Sequence, residues 1–155
     1  MGPLAHRRRL DAMEALTTDA VVCEARVAIG GARIGSRGYF FAPTVLGDAP
    51  VTARAMNEES FGPIALITVF RDYEGAIPEA NRLACRLAAF VWTQSAKTIT
   101  NVRRDLEAGM VSINDHGLAL PELPVGGVKD SGCGSEGGAK ALEAYLNPKL
   151  VTQMT

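Results

Sequence analysis

The sequence has few of the features that mark membrane proteins, disulfide-rich proteins or nucleic-acid binders. No apolar run approaches the ~18–20 residues of a transmembrane helix, and no apolar stretch of a secretory signal follows the charged first residues. The three cysteines predict reduced thiols rather than a disulfide framework. Sixteen basic and seventeen acidic residues leave a net charge of −1, without the basic surplus of nucleic-acid binders. We therefore expect a cytoplasmic globular protein with neither a membrane nor a nucleic-acid partner.

Metal-binding and thiol chemistry have little support in the spacing of their usual residues. No pair of cysteines or histidines has the C-x-x-C or H-x-x-x-H spacing of a zinc site, so we predict no metal ligands. A thiol hydrolase that pairs His116 with Cys133 or Cys85 stays open as a hypothesis. Cysteine is, however, among the most buried residue types, which favours an inert role.

The segment Gly132 to Gly137 matches G-x-G-x-x-G, a pattern of dinucleotide-binding turns. Such a turn requires a strand directly before the glycines and an acidic residue about twenty positions later. The last strand predicted before it ends at Asn114, and eighteen residues follow Gly137. We interpret this segment as a structural glycine turn.

The first third of the chain predicts one helix and two strands. Leu10, Met13, Leu16 and Ala20 recur at helical spacing within residues 6–24. A short strand is expected at 26–31, followed by a loop whose glycines suit turns with positive φ. Residues 39–46 predict a strand at a sheet edge, because Pro43 cannot donate a hydrogen bond to a neighbouring strand.

The middle of the chain alternates strands and helices. Apolar runs predict strands at 64–70, 88–93 and 110–114, of which the first is expected to be covered on both faces. Helices are predicted at 73–84, where Pro78 should interrupt the helix, and at 95–109, with Ser95 as N-cap and Gly109 as stop. This order predicts an α/β fold with a three-stranded parallel βαβαβ core, flanking helices and edge strands.

The last 41 residues have a different character. Residues 115–138 contain seven glycines and two prolines, and predict a long loop. Its leucines and valines argue against simple disorder. A helix is expected at 139–147 and a strand in the tail. No linker is rich enough to divide the chain, so we predict a single domain over 1–155.

Several motifs, in order over about 110 residues, resemble the carboxy-terminal third of the NAD(P)-dependent aldehyde dehydrogenase superfamily. They read GYFFAPTVL, EESFGP, EANRL with LAAFVWT, LEAGMVSIN, and PVGGVKDSGCGSEGG. The resemblance implies part of that family's catalytic domain, with its core at 39–147 and an oligomerisation strand at 148–155. It also implies an oxidoreductase that converts an aldehyde to a carboxylic acid with NAD or NADP.

The resemblance assigns site residues individually. Glu59, the second acid of EESFGP, would bind the ribose hydroxyls beside the nicotinamide, and Phe61 would contact the same side of the cofactor. Asn114 would have a structural role. The aldehyde tunnel would be lined by Leu118, Leu120, Leu123 and Val125. Val125 stands where the family often has phenylalanine, which implies a wider tunnel.

No residue matches the family's nucleophilic cysteine or its general-base glutamate, because those positions and the Rossmann domain lie upstream of the segment that this chain resembles. We therefore expect no catalytic residue in the chain and no activity from the chain alone. It would be a fragment of the enzyme or, alternatively, a non-catalytic subunit that completes a partner's active site. The expected partners are further copies of the chain or an upstream aldehyde dehydrogenase fragment. Cys85, Arg86 and Pro78 depart from the family pattern, and Arg86 would clash if its glycine counterpart had positive φ.

Overall fold

The computed structural model describes residues 1–118 and 120–154. The chain divides into two compact units, Met1–Phe70 and Arg71–Thr155. Each unit combines helices with short strands, which confirms the α/β class. The single domain over 1–155 stays a prediction.

The predicted N-terminal helix is present as α1, Arg7–Val22. His6 begins it with extended backbone, and its Nδ1 accepts a hydrogen bond from the Arg9 amide at 3.3 Å. The residues predicted at helical spacing are all buried, together with Thr17. They pack against Phe41 and several alanines to form the core of the first unit.

The first unit contains a three-stranded sheet of β1 (Arg26–Ile29), β2 (Thr44–Gly47) and β3 (Ile64–Ile67). β2 lies in the centre, antiparallel to β1 and parallel to β3. The predicted edge position of residues 39–46 is therefore wrong. The strand begins only at Thr44, so Pro43 lies outside the hydrogen-bonded ladder and its missing N–H costs nothing there.

β3 is the edge strand of this sheet, and its residues alternate between half-buried and exposed. The predicted coverage on both faces is not found in this unit, because an apolar run indicates a strand but does not specify what packs against it. The loop after β1 agrees with the prediction. Gly30 and Gly31 have φ of +76° and +88°, and a Cβ on Gly30 would collide with the Pro43 carbonyl.

Among its described residues, the second unit has two α-helices and four short strands. They are α2 (Tyr73–Ala80), β4 (Cys85–Arg86), β5 (Ala88–Val91), α3 (Ala96–Asp105), β6 (Met110–Ile113) and β7 (Val128–Lys129). The Ser95 hydroxyl accepts a hydrogen bond from the Thr98 amide, as predicted for an N-cap. α2 contains Pro78 and ends at Ala80, four residues earlier than predicted, and α3 ends at Asp105 instead of continuing to Gly109.

The strands of the second unit form two pairs. β5 and β6 are parallel, joined through α3, and β4 and β7 are antiparallel. A single three-stranded parallel sheet was predicted from the strands now seen as β3, β5 and β6. The prediction of this sheet is wrong for the described residues, because β3 pairs with β2 in the first unit. The alternation of helices and strands indicates crossovers, but it does not identify which strands pair.

The end of the chain also differs from the prediction. Residues Ala139–Tyr145 form a 3₁₀ helix rather than an α-helix. Residues 148–154 form no strand, and their apolar side chains are exposed. The loop at 115–138 is more ordered than predicted, since it contains β7 and a bridge between Val125 and Glu136. No helix in the described part of the chain is long and apolar enough to cross a bilayer.

Candidate functional site

The two adjacent acids of EESFGP have different surroundings. Arg54, in a 3₁₀ helix at Arg54–Met56, donates two hydrogen bonds to the Glu58 carboxylate at 2.8 and 3.1 Å. These bonds lower the pKa of the Glu58 carboxyl below its ordinary value. Glu59 is exposed, and within residues 1–118 and 120–154 its carboxylate has no hydrogen bond or ion pair. Glu59 is thus the acid whose oxygens are available to a ligand.

Phe61 has an unusual backbone conformation. Its φ is +44°, in a region that residues with a Cβ adopt at a cost of about 1–2 kcal/mol. The residue is 70% exposed. A large aromatic residue that is both strained and exposed is a candidate for ligand contact. Its neighbour Glu59 offers a carboxylate on the same short segment.

Helix α1 contacts the segment that carries Glu59 and Phe61. Arg9 Nη1 donates a hydrogen bond to the Ser60 carbonyl at 3.1 Å, and its guanidinium carbon lies 5.9 Å from the centre of the Phe61 ring. Gly62 packs so closely on Met13 that an added Cβ would overlap the Met13 sulfur. The Pro63 carbonyl accepts a hydrogen bond from Thr44 as β3 begins. These contacts fix the segment at both ends.

The residues assigned to the aldehyde tunnel lie in the second unit, after β6. Leu120 and Leu123 are 51% and 42% exposed and are joined by a turn, while Leu118 is half-buried. Ala119, between them, lies outside the described residues. Val125 is half-buried and forms a two-bond bridge with Glu136. The lining role of these four residues stays a prediction.

Val125 also lines a cavity of about 470 Å³. The other lining residues are mostly small and belong to the glycine-rich segment. Its polar members are Ser131, Cys133, Ser135 and Glu136, and Leu87 and Ala144 complete the lining. A second cavity of about 280 Å³ shares several of these residues and adds Lys140. Gly132, Gly134 and Gly137 have positive φ. Positive φ is typical of glycine turns, and the structural role of this segment stays a prediction.

The thiol hypothesis gains no support from geometry. The His116 ring packs on Trp92 at 4.7 Å and Phe90 at 5.9 Å. In the part of the chain that the structure describes, no hydrogen bond joins His116 to Cys85 or Cys133. No group of three potential ligands among those residues lies close enough to hold a metal ion.

Arg86 takes part in a network that sequence reasoning missed. It lies in β4 without positive φ, so the clash considered for it does not occur. Its side chain is 10% exposed, pairs with Glu107 and donates hydrogen bonds to the carbonyls of Leu83 and Asn81. Lys129 Nζ also donates to Glu107 at 2.9 Å. Lys129 and Arg86 together lower the pKa of the Glu107 carboxyl.

Two asparagines join elements of the second unit. Asn81 donates to the Asp105 carbonyl at 2.7 Å and accepts from the Glu107 amide at 2.9 Å, which ties the end of α2 to the end of α3. Asn114 exchanges hydrogen bonds with the amide and carbonyl of Thr93, both at 2.8 Å. This second contact joins the carboxyl ends of β5 and β6, as the structural role predicted for Asn114 requires.

Comparison with known proteins identifies the family. The model of the aldehyde dehydrogenase family matches residues 1–151. The chain is 42% identical over 151 residues to 4-(hydroxymethyl)benzenesulfonate dehydrogenase TsaD1 of Comamonas testosteroni, covering 97% of this chain and 31% of that protein. It has the same identity and coverage with a probable NADP-dependent succinate-semialdehyde dehydrogenase of Sinorhizobium fredii. The chain thus spans about a third of the length of the curated relatives that it matches.

Solved structures agree with the sequence comparison. The structure of a lactaldehyde dehydrogenase superposes on the whole chain with a TM-score of 0.96 at 31% identity, and the match covers 32% of that protein. A structure described for cofactor and substrate selection by Gox0499 gives a TM-score of 0.92 at 33% identity, covering 99% of this chain and 34% of the other. This chain belongs to the aldehyde dehydrogenase family.

Proposed function

We propose that the chain supplies the nicotinamide-ribose side of a cofactor site and part of an aldehyde tunnel in an enzyme that oxidises an aldehyde to a carboxylic acid with NAD or NADP. Membership of the family supports the reaction class. The unequal surroundings of Glu58 and Glu59 carry the assignment to residues, because they leave one carboxylate of the pair available for a ligand.

The Glu59 carboxylate fits a ribose diol. A carboxylate can accept hydrogen bonds from two hydroxyl groups at once, and bonds to a charged acceptor are shorter and stronger than neutral ones. Glu58 is less suited to this task, since Arg54 already donates to both of its oxygens. The family resemblance and the geometry thus favour the same acid. The cofactor, when bound, supplies the hydride acceptor.

Phe61 would restrict the position of the nicotinamide ring. Its side chain is rigid, with only two rotatable bonds, and the residue is 70% exposed in its positive-φ conformation. An aromatic face beside the ribose-binding carboxylate narrows the positions that the ring can adopt. Orientation of reactants in this way is a recognised source of rate enhancement.

Leu118, Leu120, Leu123 and Val125 would form part of the aldehyde tunnel. Val125 has a smaller side chain than the phenylalanine frequent at this family position, so the tunnel would be wider and less aromatic. The curated relatives with 42% identity are named for different substrates, and they do not single out one aldehyde.

Turnover would require a cysteine nucleophile that we assign to none of Cys23, Cys85 and Cys133. Cys23 lies at the end of α1, Cys85 lies in β4, and Cys133 lies in the glycine-rich segment. We therefore expect no aldehyde-dependent NAD(P)H formation by the chain alone. We also expect free NAD to bind weakly, because one or two hydrogen bonds of about 0.5–1.5 kcal/mol each do not offset the cost of association.

Ligand-observed saturation-transfer NMR with nicotinamide mononucleotide at millimolar concentration tests the assignment on the chain as it is. This probe contains only the half of the cofactor that Glu59 and Phe61 would contact. We expect transfer to its ribose protons in the unmodified chain and in Glu58→Gln, and a loss of that transfer in Glu59→Gln. Equal transfer in the two variants would overturn the assignment of Glu59.

A further inference from the structure

Helix α1 contacts three consecutive residues, Ser60, Phe61 and Gly62. Arg9 donates to the Ser60 carbonyl and lies over the Phe61 ring, and Met13 packs against Gly62. Leu10 and Met13 are fully buried, so this part of the helix is anchored in the core of the first unit. Phe61, whose backbone is strained, is therefore contacted by a part of helix α1 that is itself anchored in the core.

Helix α1 also binds Arg54, the residue that pairs with Glu58. The Asp19 carboxylate accepts a hydrogen bond from the Arg54 amide at 2.7 Å, at the start of the 3₁₀ helix. Arg54 in turn binds Glu58. Helix α1 thus contacts the chain on both sides of Glu59. Before Glu59, Asp19 of the helix binds Arg54. After Glu59, Arg9 and Met13 of the helix contact residues 60–62.

The hydrogen bond from Arg9 acts on the torsion that is unusual. The Ser60 carbonyl belongs to the peptide group between Ser60 and Phe61, and rotation of that group about the N–Cα bond of Phe61 changes the φ of Phe61. A donor that fixes the carbonyl oxygen therefore opposes relaxation of φ from +44° to the negative values that phenylalanine prefers.

The charge of Arg9 acts on the ring of the same residue. A guanidinium within about 6 Å of the ring centre is attracted to the aromatic face. The two contacts of Arg9 thus restrain both the backbone and the side chain of Phe61. Without them, an exposed side chain would be free to leave the orientation that a ligand requires.

We infer that Arg9 is a positioning residue for the cofactor site, and that it holds Phe61 in the conformation that receives the nicotinamide-ribose half of the cofactor. This inference rests on the proposed function of Glu59 and Phe61. Loss of Arg9 would lower the fraction of molecules in that conformation, and apparent affinity falls in proportion to that fraction.

The test places 4-fluorophenylalanine at position 61 of the full chain and follows its ¹⁹F resonance. Arg9→Met removes both contacts, whereas Arg9→Gln keeps a donor for the Ser60 carbonyl and removes the charge. Arg8→Met is the matched control, because Arg8 is the exposed neighbour on the same helix. Far-UV circular dichroism checks that α1 is retained in each variant.

We expect Arg9→Met to shift or broaden the fluorine resonance, Arg9→Gln to have a smaller effect, and Arg8→Met to have none. Titration with nicotinamide mononucleotide should show affinity about two- to fivefold weaker in Arg9→Met, the change that 0.5–1 kcal/mol produces. If the resonance and the affinity of Arg9→Met match those of Arg8→Met, the inference is wrong.

The outcomes separate this inference from the proposed function. If the mononucleotide shifts the fluorine resonance equally in the unmodified chain and in Arg9→Met, with equal affinity, the cofactor role stands and the positioning role fails. If the mononucleotide has no effect on any variant while Arg9→Met still changes the resonance, Arg9 restrains Phe61 but the cofactor role fails, and the functional part of the inference fails with it.

Discussion

The two units of the chain differ in how they bury apolar side chains. In the first unit, α1 and the three-stranded sheet enclose a core that includes Leu10, Met13 and Leu46, all fully buried. In the second unit, Val102 is the one buried hydrophobic residue among the described positions. Phe90, Trp92 and Leu142 there are 45–60% exposed. The second unit is held instead by hydrogen bonds, ion pairs and close approaches between backbone segments.

Close backbone approach in the second unit is clearest at Gly109. A Cβ at this position would overlap the Gly126 carbonyl, so the glycine-rich segment packs directly against the start of β6. Such contacts define a conformation but bury little apolar surface, and burial is the main favourable contribution to folding. We therefore propose that other parts of a longer aldehyde dehydrogenase, or another copy of the chain, cover the apolar side chains of the second unit.

The largest expected effect is a core substitution in the first unit. Leu10→Ala should destabilise that unit by about 2–5 kcal/mol, because it leaves a cavity in a packed core. Leu142→Ala, at a 60% exposed position of the second unit, should change stability by about 0.5 kcal/mol or less. Hydrogen exchange of the amides in each unit measures both effects. Similar losses of protection from the two substitutions would remove the contrast between the units.

Substitution of Asn81 should have the next largest effect. Asn81→Ala removes two hydrogen bonds that join α2 to the end of α3, at a cost of about 1–3 kcal/mol if each contributes its usual amount. Amides of the second unit should lose protection, while α1 should be unaffected. Asn147→Ala, at an exposed position, is the control. An Asn81 variant with unchanged exchange would show that the two helix ends are held by other contacts.

Arg86→Gly introduces the residue that the family resemblance implies at this position. The sequence alone suggested that a glycine here would relieve a clash, but Arg86 has no positive φ and bonds to two backbone carbonyls. We expect the substitution to destabilise the second unit by about 1–3 kcal/mol, the usual amount for two hydrogen bonds. Urea-dependent hydrogen exchange of β4 and β7 measures the change. Slower exchange in the variant would support relief of a clash instead.

The reversed expectation for Arg86 shows which features a sequence can predict. Local features could be read from the residues, including α1 from its apolar spacing, the Ser95 cap and the turns at Gly30 and Gly31. The partner of β3 could not, because pairing depends on contacts between distant segments. At the site, the family motif predicted roles for Glu59 and Phe61, and those roles stay predictions. The contacts of Arg9 and Arg54 were missed, since nothing in the motif itself indicates which distant residue packs against it.

Acidification should produce the smallest difference in stability between the two units. Hydrogen bonds from Arg104 and Tyr73 lower the pKa of Asp105, and those from Lys129 and Arg86 lower the pKa of Glu107. A carboxyl whose pKa is lowered in the folded state stabilises that state at pH values above its ordinary pKa of about 4. This stabilisation is lost as the pH falls through the lowered pKa.

Among the residues that the structure describes, the second unit contains two such carboxyls and the first contains one, Glu58. The protection of amides from hydrogen exchange should therefore fall slightly more in the second unit than in the first as the pH is lowered below about 4. The difference should shrink at high salt, because these groups are exposed to solvent and salt screens their interactions. Hydrogen exchange at a series of pH values and two salt concentrations measures it. A larger loss in the first unit would contradict the assignment.

Size-exclusion chromatography with a thermal melt tests most directly whether the chain is part of a larger aldehyde dehydrogenase. The chain is run alone and after co-expression with the segment that precedes the matched region in the Comamonas testosteroni relative. We predict that the chain alone self-associates or melts without cooperativity, and that the added segment brings it into a defined complex with a cooperative melt. A sharp monomer peak with a cooperative melt, unchanged by the added segment, would show that the chain is a self-sufficient domain.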